Sequence, residues 1–350
     1  MVFDLTEKIR FAVVGCGRMG TRRIRTIKEN KNAELVCICD SIKDIGQALS
    51  NQLECEYLAD YRKVVTRRDV DCIVVSLPNK FHCETTVSAL ANHKHVLCEK
   101  PLARTPQEAT RMVEAATKSS AYLKVGSNLR YFLNVQKARE LVDRGAIGNL
   151  LFTRGWIGHS GGKQTGTWFL DPDLAGGGTF LDNGSHILDL TRWFLGEVSE
   201  CIGVVATAYW PIAPLEDIGL GIFRTLEGKL AFVQSSWFEW ADYMYMELYG
   251  SEGYLRIDNR NPLCQLTLGD REGAKEVFDY SLLASQSYGL ELEDFIQAIR
   301  EGKQPVPSGY DGMRVVQMAF GVYESSKSSR SVGLFEQEGE SSSGAMRGLR

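Results

Sequence analysis

The stretch Gly15-Cys16-Gly17-Arg18-Met19-Gly20 closes an apolar run, Phe11 to Val14, and opens a segment of helical character. This G-x-G-x-x-G constrains the fold more than any other feature of the chain. The first glycine permits a tight turn, the second lets backbone approach a pyrophosphate, and the third lets helix and strand pack closely. The helix N-terminus adds unpaired N–H donors and the positive end of a dipole. A second apolar run, Leu35 to Cys39, ends at Asp40, where a carboxylate accepts hydrogen bonds from the adenine-ribose hydroxyls. Strand, turn, helix, strand and terminal acid in this register imply a bound dinucleotide. Asp40 repels a ribose phosphate, so NAD is the expected cofactor and NADP the alternative; Ser41 beside it and Lys43 soften the preference.

Length and composition narrow the class. A chain of 350 residues suits two domains, and 44% hydrophobic with 24% charged residues places it among ordinary globular proteins. A net charge of −4 without a dense basic stripe argues against non-specific nucleic-acid binding, which needs a cationic surface. Arg22, Arg23 and Arg25 cluster after the glycine turn and read as a solvated helix face, with one of them reaching a cofactor phosphate as the other reading. The N-terminal residues are charged and lack an apolar core, and no apolar run reaches the ~18 residues of a membrane span. Nine cysteines, seven of them among the first hundred residues, include no C-x-x-C pair. They read as reduced core thiols of a cytoplasmic protein. His82, His93 and His95 have only Cys83 as a nearby soft ligand, so no metal is expected.

Strand and helix patterns alternate through about residue 125: strands at 9–14, 34–39, 72–76, 95–98 and 122–125, with helical stretches such as 85–92 and 106–119. The expected fold is therefore α/β, an N-terminal Rossmann doubly wound parallel sheet over residues 1–126. Beyond Arg130, a helix at 135–144 stops at Gly145. Apolar or alternating runs follow at 150–157, 201–209, 219–225, 229–237 and 244–249, with turn signals between them. They suit a C-terminal α+β domain with a mostly antiparallel sheet over residues 127–335, and the Ser/Gly/Glu-rich end, 336–350, reads as a disordered tail.

Three segments carry chemistry. Glu99-Lys100-Pro101 follows a strand that ends at the carboxyl edge of the sheet. There Lys100 either hydrogen-bonds a substrate hydroxyl beside a nicotinamide or is a surface lysine in a proline turn. In Asp182-Asn183-Gly184-Ser185-His186, the acid and the histidine are four apart. On one helical face the carboxylate would orient an imidazole that accepts a hydroxyl proton; alternatively Asp182 or Ser185 caps the helix and His186 is a core histidine. Leu77-Pro78-Asn79-Lys80-Phe81-His82 again follows a strand and either edges the nicotinamide pocket or supplies loop and cap residues.

Taken together, Gly15–Gly20, Pro78-Asn79-x-x-His82, Glu99-Lys100-Pro101, Gly145-x-Ile147-Gly148, Gly176–Gly178 and Asp182-x-x-x-His186 resemble the glucose-fructose oxidoreductase / inositol dehydrogenase / rhizopine-catabolism (Gfo/Idh/MocA) family over about residues 8 to 335. The resemblance implies NAD(P)-dependent oxidation or reduction at a sugar or cyclitol carbon. It also implies a large open C-terminal sheet that builds homodimers or homotetramers. The family's active-site lysine, acid and histidine map onto Lys100, Asp182 and His186. His186 would take the hydroxyl proton, Lys100 would stabilise the oxygen, and Asp182 would orient His186 or grip a neighbouring hydroxyl. Glu99, Leu77, Pro78, Asn79 and His82 fall to the cofactor site. Arg130, Tyr131, Trp168 and Asn183 are candidate contacts for a small polyhydroxylated substrate, with interdomain packing as the other reading. The 159–163 loop, with two glycines, is a candidate lid or a contact for an acidic substituent. The family also admits non-redox, sugar-responsive regulators, which an intact Lys100/His186 pair weighs against. NAD-dependent glycoside hydrolases, which oxidise, eliminate and re-reduce, would release free sugar without net cofactor change.

Overall fold

The computed structural model describes residues 7–162, 164 and 166–335; the expected tail at 336–350 lies outside them. The first six strands are β1 (Ile9–Val14), β2 (Ala33–Cys39), β3 (Glu56–Leu58), β4 (Cys72–Val75), β5 (His95–Glu99) and β6 (Leu123–Gly126). They form one parallel sheet in the order β3-β2-β1-β4-β5-β6. Helices α1 (Arg18–Glu29), α2 (Lys43–Leu53), α3 (Tyr61–Val65), α4 (His82–Ala91) and α5 (Pro106–Lys118) make the crossovers. Central strands such as β4 are buried at every residue, which is why they read as unbroken apolar runs. The strand order reverses between β1 and β4, and ligands of such sheets bind in the crevice beyond the carboxyl ends at that point. Gly15, Ser76 and Lys100 stand there, directly after or one residue beyond β1, β4 and β5.

After α6 (Leu133–Asp143), β7 (Leu150–Gly158) starts a second sheet, and α7 (Pro172–Ala175), α8 (Thr179–Asp182) and α9 (Gly184–Leu195) follow it. The remaining strands are β8 (Val198–Ala206), β9 (Ile218–Thr225), β10 (Leu230–Ser236), β11 (Tyr243–Gly250), β12 (Gly253–Asp258), β13 (Gln265–Asp270), β14 (Gly273–Asp279) and β15 (Val332–Gly333). The nine-stranded order is β14-β13-β12-β11-β7-β10-β9-β8-β15, antiparallel except where β10 runs parallel to β7. One face packs on α9 and on α11 (Gly309–Ser328), burying residues such as Ile187, Phe223, Met246 and Val322. The opposite face leaves Ile202, Val204 and Ile222 about half exposed (47%, 56% and 51%).

The division expected at residue 126 is crossed by the chain's end. Helix α10 (Ser287–Glu301) presents Leu292, Phe295, Ile296 and Ile299 at one-face helical spacing, and they pack with Ile9, Phe11, Ile24 and Ile27 of the first layer. Val316 of α11 joins the core beneath β6. The two sheets are thus braced together by helices distant in sequence. Among the described residues, no helix is long and apolar enough to cross a membrane.

Candidate active site

The glycine turn is shaped by close approach. Gly15 has φ +97°, and a Cβ there would lie 2.3 Å from the Ser76 carbonyl oxygen; at Gly20 a Cβ would lie 1.8 Å from the Gly15 oxygen. Helix α1 begins with Gly17 as its N-cap and no side-chain cap, and nothing lies within 4 Å of the position a Gly17 Cβ would take. Its first N–H donors are therefore left without a side-chain cap, the donor set a pyrophosphate requires. Asp40 ties the turn to β2: one carboxylate oxygen accepts from the Cys16 N–H and the other from the Ile42 N–H, both at 2.8 Å. Each oxygen retains a further acceptor site for ribose hydroxyls. Ser41 is exposed beside it. Burial and the nearby Asp40 carboxylate push the Cys16 thiol up to about 12, so this cysteine is a packing residue.

The turn opens onto a cavity of about 1270 Å³ between the two sheets. Gly17, Arg18, Met19, Leu77, Asn79, His82, Glu99 and Lys100 line it from the first domain, and Trp168, Asp182, Asn183 and His186 face them from the second. Gly15, Cys16, Gly20, Asp40, Ser41 and Pro78 are not on that wall; they shape the turns behind and beside it. Of the 159–163 loop, His159 lines the cavity and Lys163 lies outside the described residues.

Lys100 reaches across to the second domain, where Nζ donates to Asp182 Oδ1 at 2.7 Å and to the Asp182 carbonyl oxygen at 3.1 Å. Asp182 ends α8, and Ser185 Oγ donates to the same carbonyl at 2.7 Å. Of the two roles expected of the acid, the orienting contact is corrected: the Asp182 carboxylate accepts from Lys100 and has no hydrogen bond to His186. Asn183, in helical conformation, joins α8 to α9, which leaves His186 on the following helix. His186 Nδ1 and Asn183 Nδ2 are buried without hydrogen-bond partners. Such orphaned polar atoms beside a cavity call for a ligand. Burial, and secondarily the Lys100 charge, hold the His186 imidazole well below its usual pKa, so it is neutral and able to accept a proton.

Supporting residues fix these groups. The two His82 ring nitrogens lie 3.0 Å from the Pro101 oxygen and 2.8 Å from the Leu77 oxygen, so the ring bridges the turns after β4 and β5. Burial lowers its pKa, and the neutral ring donates to one of the two. Asn79 Nδ2 donates to the Ala175 oxygen at 2.8 Å, and Asp173 pairs with both Lys80 and Arg104, clamping α7 to the first domain. Beneath Lys100, Arg23 Nε donates to Glu99 Oε1 at 2.6 Å while its other arm holds Glu291. The solvated arginine face is thus corrected at Arg23, which is 2% exposed. The sequence carried the signal, since Gly20, Arg23, Ile24 and Ile27 form one helical stripe, all buried.

Arg130 and Tyr131, candidates for substrate contact or for interdomain packing, do not line the cavity. Arg130 makes a buried fork to Asp189, Nε–Oδ2 2.8 Å and Nη2–Oδ1 2.7 Å, the pairing that an enclosed guanidinium demands. The Tyr131 hydroxyl sits 2.7 Å from both Asp294 Oδ2 and Lys124 Nζ. Their neighbours Asn128, Leu129 and Phe132 line the cavity instead.

A dinucleotide cradle that opens onto a lysine–carboxylate pair and a neutral imidazole is what a nicotinamide-dependent oxidoreductase requires, and the chain is of that class. It belongs to the Gfo/Idh/MocA oxidoreductase family: the NAD-binding Rossmann fold of that family matches residues 9–127, and its C-terminal domain matches residues 135–256. The chain is 30% identical over 274 residues to the 2,7-anhydro-N-acetylneuraminate hydratase of Escherichia coli (strain K12), covering 75% of this chain and 70% of that one. It is 29% identical over 339 residues to the myo-inositol 2-dehydrogenase of Thermotoga maritima, covering 94% and 99%. A levoglucosan dehydrogenase solved in complex with NADH shares the fold, with TM-score 0.85, 22% identity and coverage of 94% of this chain and all (100%) of the other.

Because a methyl group at Gly17 meets nothing of the protein, Gly17→Ala is expected to leave the melting temperature within about 2 °C while raising the Kd for NADH at least about tenfold. Calorimetry and NADH fluorescence titration check this pair of outcomes; unchanged NADH affinity would remove the pyrophosphate from this turn.

Proposed function

We propose that the protein transfers hydride between NAD and a hydroxyl-bearing or keto carbon of a sugar, sugar derivative or cyclitol. The observation that carries this reading is the convergence of Lys100 with Asp182, Asn183 and His186 across the cavity that receives the glycine turn. Several donors and acceptors around one small volume suit a ring carrying many hydroxyls, because a site built to pair with hydroxyls leaves buried polar groups stranded when they are missing. Relatives named inositol 2-dehydrogenase, levoglucosan dehydrogenase and D-glucoside 3-dehydrogenase support the same class.

The amides at Gly17 and Arg18 and the Asp40 carboxylate would hold the dinucleotide, and Asp40 favours NAD over NADP by repelling a ribose phosphate. When bound, the nicotinamide supplies the hydride acceptor or donor. Lys100, aligned by Asp182, hydrogen-bonds the reacting oxygen and stabilises negative charge on it. Neutral His186 takes the hydroxyl proton, or returns it in reduction. Asn183 pairs with a neighbouring hydroxyl, and the Trp168 face packs on the ring.

A second, redox-neutral reading is favoured by the hydratase relative. Oxidation at one ring carbon acidifies the adjacent C–H, which permits elimination or addition before the hydride is returned. Product formed from an anhydro sugar without net change in nicotinamide absorbance would distinguish it.

The test is turnover of a panel of inositols, pyranoses and sugar acids beside simple secondary alcohols, with NAD and NADP. Lys100→Met should lower kcat by about 100-fold or more while NADH affinity stays within about twofold. Because the pKa of His186 is lowered, its neutral, proton-accepting form persists as pH falls, so kcat/KM for oxidation should show no acid limb between about pH 8 and pH 6. Near-parental turnover by Lys100→Met, or better activity on the simple alcohols, would refute the reading.

The half-exposed Ile202, Val204 and Ile222 on the uncovered sheet face support self-association of two or more copies through that face. Ile222→Asp is expected to shift the species seen by light scattering toward monomer; an unchanged mass would place the interface elsewhere. The cysteines, buried or half-buried and all free, support a reducing compartment, the cytoplasm.

A further inference from the structure

The cavity does not end at the reacting groups. The lining of the cavity, which has a volume of about 1270 Å³, also runs along the outer face of α1. Arg18, Arg22 and Arg25 all line it. At 1.5 Å rise per residue, these three form a stripe about 10 Å long on one side of the helix. All three are exposed, and none forms an ion pair among the described residues, in contrast to Arg23 on the buried side of the same helix. Glu29, one turn past Arg25, also lines the cavity and forms an ion pair with none of the three among the described residues.

Other lining residues of the cavity bear on this stripe. The Arg22 guanidinium lies 5.0 Å over the Tyr288 ring, which restrains it, and the Arg23 guanidinium lies 4.9 Å over the same ring. The stripe is thereby connected to Glu99 and the adjacent Lys100 through two side chains, Tyr288 and Arg23. Asn259 also lines the cavity; its Oδ1 is engaged by Asn134 Nδ2 at 2.6 Å, and its Nδ2 is a buried donor without a partner. Guanidinium groups at one-turn spacing without an ion-pair partner among the described residues, a ring beside one of them and an orphaned amide donor in the same cavity match a multiply charged oxyanion, since guanidinium recognises phosphate oxygens in bidentate fashion.

We propose that this stripe holds a phosphate-bearing substituent of the substrate, a phosphomonoester or a diphosphate, with Arg22 and Arg25 as its ligands. Arg18, at the turn itself, remains with the dinucleotide. The hydroxylated ring would sit at Lys100 and His186 and the phosphate at the stripe, so this assignment rests on the oxidoreductase reading for the ring end only.

The probes are inorganic pyrophosphate, a hexose monophosphate, a nucleoside-diphosphate hexose and the neutral hexose, each titrated into the NADH-loaded protein and assayed for turnover. The expected result is that Arg22→Ala/Arg25→Ala weakens pyrophosphate binding at least about tenfold and removes the kcat/KM advantage of phosphorylated over neutral substrate, with NADH affinity within about twofold. The Lys substitutions should retain part of the affinity. The monophosphate and the diphosphate arms of the panel tell the two substituents apart. Pyrophosphate binding indifferent to both arginines would overturn the proposal, as would an equal loss of NADH affinity, which assigns them to the cofactor. Arginine-dependent pyrophosphate binding with no turnover of any panel member would support the anion site while excluding a hexose as the ring it serves.

Discussion

The contact between Lys100 and Asp182 organises the rest of the site. A cation at the carboxyl edge of the first sheet meets a carboxylate at the end of α8 at 2.7 Å, with only 20% and 8% of the two side chains exposed. A pair so enclosed is sensitive to geometry, because removing one partner leaves a charge that neither protein nor water fully compensates. Both partners are accordingly fixed from behind. His82 bridges the turns at Leu77 and Pro101, while Asp173 and Asn79 fasten the α7 segment that leads into α8. The glycine turn is tied in the same manner, with Asp40 holding the Cys16 amide while α1 packs closely enough that only glycine fits at position 20.

His186 gains its chemical character from this arrangement. Enclosed, without a partner at Nδ1 and near an ammonium group, it is held in the neutral form, which is the form that can receive a proton. A carboxylate bonded to the ring would raise its basicity; instead the Asp182 carboxylate accepts from Lys100.

Much of the first domain was legible because parallel strands buried on both faces appear as apolar runs. Ile9–Val14 is an example, and its ends agree residue for residue with the reading from sequence. The second sheet was legible as far as β11. Its last long strand, β14, is mostly exposed and carries Lys275 and Glu276 at its centre, so it has no apolar face to recognise. What sequence spacing could not supply were partners far apart along the chain: Asp182 lies 82 residues from Lys100, and Asp189 lies 59 from Arg130. Spacing of four suggested that Asp182 would serve His186, but tertiary proximity of an ammonium overrode that local preference. Arg23 was legible in principle, as the one charged member of a buried helical stripe.

The claim that Asp182 works through Lys100 is tested most directly by a double-mutant cycle on the single-turnover rate of hydride transfer, using Lys100→Met, Asp182→Asn and the combined variant. If the carboxylate acts by holding the lysine, the double variant should be within about threefold of the slower single variant, since groups that act as one unit are strongly non-additive. Losses that multiply would show that Asp182 acts independently of Lys100 and would contradict the account.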